Sequence, residues 1–129
     1  MNKYKAIKTE VGLLVGRDCI FLDNAKFQNS MNNLKLSGGL NGSLCTESSS
    51  SEEISYTIIF KEILALKMIE LDSNHHKAET SFDEVINSEW IKNLGAKVTN
   101  EYKHYYFQTY DQVFELACTG YALELNKNV

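Results

Sequence analysis

Apolar residues recur at every second position in three parts of this chain. Tyr105 and Phe107 fall on one face of an extended segment and Tyr106 on the other, Tyr121, Leu123 and Leu125 alternate after Gly120, and Tyr56, Ile58 and Phe60 do the same. A period of two is the pattern of strands that bury one face. Lys103 to Leu125 therefore reads as a β-hairpin entering a core, with the chain reversing at Asp111-Gln112 and returning through Val113 to Cys118. Val11 to Val15 and Cys19 to Leu22 read as strands around a tight turn, in which Gly16 supplies a backbone conformation that other residues adopt at a cost. Asp23-Asn24-Ala25 suggests a further turn or loop, and Lys26 to Asn33 has no periodicity and reads as irregular. Leu34, Leu36 and Leu40 predict a short strand broken at Gly38-Gly39, a pair that marks a bulge, a bend or the close approach of another backbone.

Two segments carry competing signals. Ser55 to Leu71 has helix formers in its second half, yet Tyr56, Ile58, Phe60, Leu64, Leu66 and Met68 hold one extended face, and no N-cap residue precedes Lys61. A long strand or a bent strand pair is the expectation. Ser81 to Gly95 is the clearest helical segment: Ser81 and Glu84 have capping-box spacing, and Phe82, Val85, Ile86, Trp90 and Leu94 recur near helical spacing before Gly95. Asn87-Ser88 is a point where it could break, since Ser88 is itself a good cap. The sum is one domain over residues 1–129, mainly β, with α+β as the alternative. The architecture expected is an antiparallel sheet or β-sandwich with one short helix near residues 81–94.

Composition sharpens this by exclusion. The hydrophobic share of 43% supports a packed core. The longest apolar runs are far short of the roughly 20 residues that span a bilayer, and the opening residues lead into no export signal, so a cytoplasmic protein is expected. Cys19, Cys45 and Cys118 are an odd set without CxxC spacing, against a disulfide scaffold or zinc ribbon. Cys19 and Cys118 lie in apolar segments and read as buried. Cys45, beside the Ser-rich stretch Thr46 to Glu53, is the thiol expected to be reactive.

The net charge of −4 is unevenly spread. Residues 1–46 hold six Lys or Arg against three acids, residues 47–89 hold three against ten, and residues 90–129 hold four of each. The acidic middle third would repel nucleic acid and attract a basic partner. Seven of its ten acids, Glu52, Glu53, Asp72, Glu79, Asp83, Glu84 and Glu89, together with the single tryptophan, Trp90, are the candidate partner-binding residues.

Candidate chemistry is sparse. His75 and His76 are adjacent and His104 is distant, with no carboxylate at a ligand spacing, so neither a metal nor a cofactor is expected. Ser48 to Ser51 lack the glycine elbow of a nucleophile. An enzyme would need His104, Cys118 and an acid to converge in a cleft, and none is expected. A small-ligand binder is the alternative function, with Tyr105, Phe107, Tyr110, Phe114 and Tyr121 lining an aromatic cavity.

Three stretches, YTIIFKEILALKMIEL, SFDEVINSEWIKNL and HYYFQTYDQVFELAC, resemble in rhythm and in words such as NSEWIKNL and TYDQVFEL the small bacterial immunity proteins of polymorphic or contact-dependent toxin systems. The resemblance covers the second half of the chain. It implies a cytoplasmic protein that binds a cognate, basic toxin domain, such as a nuclease, and covers its active site without doing chemistry.

Overall fold

Strands that alternate must bury their apolar faces against something, and here they bury them against each other. The computed structural model describes residues 2–49, 51–71, 78, 80–95 and 101–126. Its strands are β1 (Lys3–Ala6), β2 (Ile20–Gln28), β3 (Asn33–Asn41), β4 (Glu53–Lys61), β5 (Ala65–Glu70), β6 (Phe82–Ile86), β7 (Lys103–Gln108), β8 (Gln112–Cys118) and β9 (Gly120–Asn126). They form a five-stranded sheet in the order β1-β6-β7-β8-β5 and a four-stranded sheet in the order β2-β3-β4-β9, antiparallel throughout. The chain is mainly β, a sandwich of two sheets.

Aromatic rings fasten the sheets together. Phe60 of β4 packs on Phe82, Tyr105 and Phe107 of the opposite sheet, with centroids 6.4, 5.9 and 5.9 Å away. Phe82 also meets Phe107 at 5.4 Å and Tyr121 of β9 at 5.0 Å, both edge to face. That is the geometry aromatic quadrupoles favour. Leu34, Leu36, Leu40, Ile54 and Ile58 complete the four-stranded side of the core.

The segment from Ser55 to Leu71 is a bent strand pair, and its two halves belong to different sheets. The bend falls at Glu62, whose φ of 52° is left-handed. It meets another of the chain's sheet crossings, at Thr119: Thr119 donates N–H and hydroxyl bonds to the Lys61 carbonyl at 3.0 and 3.2 Å, and Leu64 N–H donates to the Ala117 carbonyl at 2.8 Å. One corner therefore serves the β4–β5 and β8–β9 crossings, and the change of sheet from β1 to β2 is a third.

Several local expectations are corrected. The short helix is a single turn, α1 (Glu89–Lys92), opened by Ser88, whose hydroxyl accepts the Ile91 N–H. The residues before it form β6, and the capping box is not made: Ser81 donates its hydroxyl to the Gly16 carbonyl at 2.8 Å. Asp23-Asn24-Ala25 lies inside β2, at a register shift between Leu22 and Asn24, so that β2 runs on to Gln28 before the turn. Gly38 faces this bulge, and a Cβ there would collide with the Phe21 carbonyl. β3 runs unbroken through Gly38-Gly39. Val11 to Val15 is not a regular strand; it is held by scattered bonds, such as Val15 N–H to the Leu44 carbonyl at 3.0 Å. The turn at Gly16 is present, with φ of 101°.

Candidate functional site

Residues on β7 divide by alternation: Tyr105 and Phe107 enter the inter-sheet core, so His104 and Tyr106 face the other side of the five-stranded sheet. On β8 the same logic sends Phe114, Leu116 and Cys118 inward and Val113, Glu115 and Ala117 outward. This outer face is covered. Tyr4, Leu71 and Ala78 pack over Val85, Tyr106 and Val113 as a second small core, and α1 lies beside it.

Beneath that cover sits a line of polar side chains. His104 and Glu115 are only 2% and 1% exposed, and His104 Nε2 lies 2.7 Å from Glu115 Oε1. On the imidazole's other side, Nδ1 lies 2.7 Å from Ser88 Oγ. Each ring nitrogen therefore has its own partner, Nε2 the Glu115 carboxylate and Nδ1 the Ser88 hydroxyl, with the donor and acceptor roles at each set by the tautomer. Trp90 stands edge-on to His104, with centroids 4.9 Å apart, and the Lys67 ammonium lies 4.4 Å from the Trp90 ring centroid. The imidazole is thus held at both nitrogens and packed against the indole.

Two buried acids, Asp83 and Glu115, lie on this face. Asp83 is fully buried, and its carboxylate accepts the Thr80 N–H at 3.0 and 3.1 Å. Burial, reinforced by Glu115 and Asp83, pushes the Tyr4 hydroxyl up to about 12. A cleft of about 280 Å³, lined by Ser88, His104, Ile91, Lys92 and Tyr102 among others, opens beside the imidazole. An acid, an imidazole and a hydroxyl in line are the groups that activate a serine nucleophile. The hydroxyl also receives the Ile91 N–H at 3.1 Å as the cap of α1, which occupies one of its two lone pairs. The arrangement acts as a polar tie that joins α1, β7 and β8.

The sequence-derived candidates scatter around this site. Glu89 and Trp90 sit on α1 next to it, Glu89 exposed and Trp90 half-buried. Glu84 is half-buried on β6, beside Tyr105 and Tyr121 on the inner side. Asp83, being fully buried, is unavailable to a partner in the folded chain. Glu52 and Glu53 are exposed at the start of β4, where that strand pairs with the ends of β3 and β9. Asp72 and Glu79 lie outside the described residues, as do His75 and His76. Among the described residues no group of three His, Cys, Asp or Glu side chains could hold a metal ion.

The imagined meeting of Cys118 with His104 does not occur, because the pleat sends them to opposite faces of the sheet; burial moves the Cys118 thiol up to about 11. Cys45 is also not the exposed thiol expected. It is 5% exposed, tucked under the 3₁₀ turn at Gly42–Leu44. Of the proposed cavity lining, Tyr105, Phe107 and Phe114 are in the core with Tyr121 packed against them, whereas Tyr110 is outside, stacked on Phe21 at 5.5 Å. The Arg17 guanidinium lies 5.1 Å from the Tyr110 ring centroid. Among the described residues no helix is long and apolar enough to cross a membrane.

No protein-family model and no curated protein matches this chain. A solved structure described as an uncharacterized protein from Neisseria gonorrhoeae is similar over 96% of this chain and 97% of its own, at 11% identity and a TM-score of 0.42.

Proposed function

We propose that this chain is a non-catalytic protein-binding domain of the immunity type, which neutralises a cognate toxin domain by covering its active site. The observation that carries the reading is the exposure of the middle third's acids: Glu47, Glu52, Glu53, Glu62, Glu70 and Glu89 all face solvent. A surface of that sign draws in a basic partner and holds off competitors of like charge. The commitment of the large aromatic side chains to inter-sheet packing supports recognition at the surface, and the Ser88, His104 and Glu115 line then serves to fix α1 and its Trp90.

The test uses the C-terminal domain of a large toxin encoded next to this gene. Replacing Glu52, Glu53, Glu84 and Glu89 by Gln, with Asp83 left intact because it is buried, slows association about tenfold at low salt and flattens its salt dependence. Stopped-flow or surface-based kinetics measures both. An unchanged on-rate across salt contradicts steering by these acids.

A further inference from the structure

Among the described residues, four of the five non-glycine positions with a left-handed backbone lie at one corner. Asn29, Ser30 and Met31, with φ of 53, 54 and 76°, make the turn between β2 and β3, and Glu62 is the bend between β4 and β5. The turn and the bend are tied together: Glu62 N–H donates to Asn33 Oδ1 at 3.0 Å, and Ile63 N–H to the Asn32 carbonyl at 2.7 Å. A methionine in the left-handed region is a costly choice where glycine or asparagine would serve, and such strain collects where a side chain must be presented. Met31 is 65% exposed. It has apolar company. Leu64, just past the bend, is exposed, and so is Phe27, which pairs with the buried Leu34 but stands on β2, the end strand of its sheet. Met68 pairs with the buried Phe114 but stands on β5, the end strand of the other sheet, and is 64% exposed.

The charges that accompany this patch are acidic. Glu62 is exposed at the bend, and Glu70 is exposed two residues beyond Met68, on the same face of β5. Alternation turns the nearby lysines away. Lys26, Lys35 and Lys61 fall on the outer face of the four-stranded sheet, opposite to Phe27, Leu34 and Phe60, and Lys67 reaches Trp90 on the outer face of the other sheet.

We propose that this corner is the docking face for a basic protein partner, with Met31, Leu64 and Met68 as the apolar centre of the interface and Glu62 and Glu70 meeting Lys or Arg at its rim. The proposal rests on the function proposed above and names the part of the surface that touches the partner. Glu52 and Glu53, at the other end of β4, steer from a distance. Methionine side chains suit such a centre because they adapt to the surface they meet. A second copy of this chain fits poorly: a two-fold interface sets the same patch against itself and brings acids against acids.

The experiment titrates the full chain against the C-terminal toxin domain of the preceding test and maps the complex by hydrogen exchange. Protection is expected at residues 29–32 and 62–70. Met31→Asn combined with Met68→Lys weakens binding about 100-fold. Its melting temperature stays that of the unmutated chain, because both side chains lie mostly in solvent and asparagine accepts a left-handed φ. Val15→Asn, at an exposed apolar position bonded to Leu44 beyond the far end of β3, leaves the affinity unchanged. Full affinity in the double variant, or protection confined to other segments of a complex that still neutralises the toxin, overturns the docking face and leaves the immunity reading standing. No complex with the unmutated chain overturns both. Self-association of the unmutated chain that the double variant loses assigns the corner to a second copy and also overturns the proposal.

Discussion

Phe82→Ala is expected to cost about 3–5 kcal/mol of stability, from lost transfer energy and from the cavity left behind. The ring is fully buried and meets four others from both sheets, Phe60, Tyr105, Phe107 and Tyr121. Its neighbours are themselves rings locked by further rings, so they close the space poorly. For a domain whose total stability lies at about 5–15 kcal/mol, this removes a third or more. Urea unfolding should show a lowered midpoint with an unchanged slope. Phe21→Ala is the control: that ring is 39% exposed and stacks on Tyr110 at the rim, so its loss costs about 1 kcal/mol. Equal losses for the two variants would contradict an inter-sheet core centred on Phe82.

The second large effect lies on the covered face. Glu115→Leu or His104→Leu alone should cost about 3–5 kcal/mol, because each leaves the other polar group buried without the partner it was built to meet. Replacing both should cost clearly less than the sum, since no orphan remains, with a coupling of about 1–3 kcal/mol in the double-mutant cycle. Each single change also loosens or removes the imidazole against which Trp90 packs, so tryptophan fluorescence reports the same event. Additive losses would mean that the 2.7 Å contact contributes no coupling to stability.

The architecture was legible wherever one face of a strand is buried and the other is wet. Tyr56, Ile58 and Phe60 in β4 and Tyr121, Leu123 and Leu125 in β9 alternate for that reason, and both were read as strands. β6 was misread because both its faces are covered: Phe82 enters the inter-sheet core and Val85 the small outer core. Double-sided burial erases alternation, and Phe82, Val85 and Ile86 then happen to fall near helical spacing. Asp23 and Asn24 are turn formers by composition, but in β2 they accommodate a bulge opposite Gly38.

The polar line was hidden for a more specific reason. The hairpin reverses at Tyr110-Asp111, with Thr109 N–H donating to the Gln112 carbonyl at 2.8 Å, so His104 pairs with Ala117 and sits diagonal to Glu115. Placing the reversal one residue later, at Asp111-Gln112, pairs His104 with Thr119 and carries it away from Glu115. Ser88 was recognisable as a cap, but nothing local to it points toward His104. Glu115 on an outward face would ordinarily be solvated; the small core that covers this face draws on Tyr4, from the other end of the chain, and on Leu71 and Ala78. The same limit applies to Cys45, whose serine-rich neighbours suggested exposure while the turn before it folds the thiol inward.

The most direct measurement is a calorimetric titration of the unmodified chain against the toxin domain proposed as its partner, with the toxin's activity assayed on the same mixtures. A saturable one-to-one complex, with activity lost in step with its formation, is the predicted result. Heat indistinguishable from dilution, and toxin activity unchanged at an excess of this protein, would contradict the proposed function.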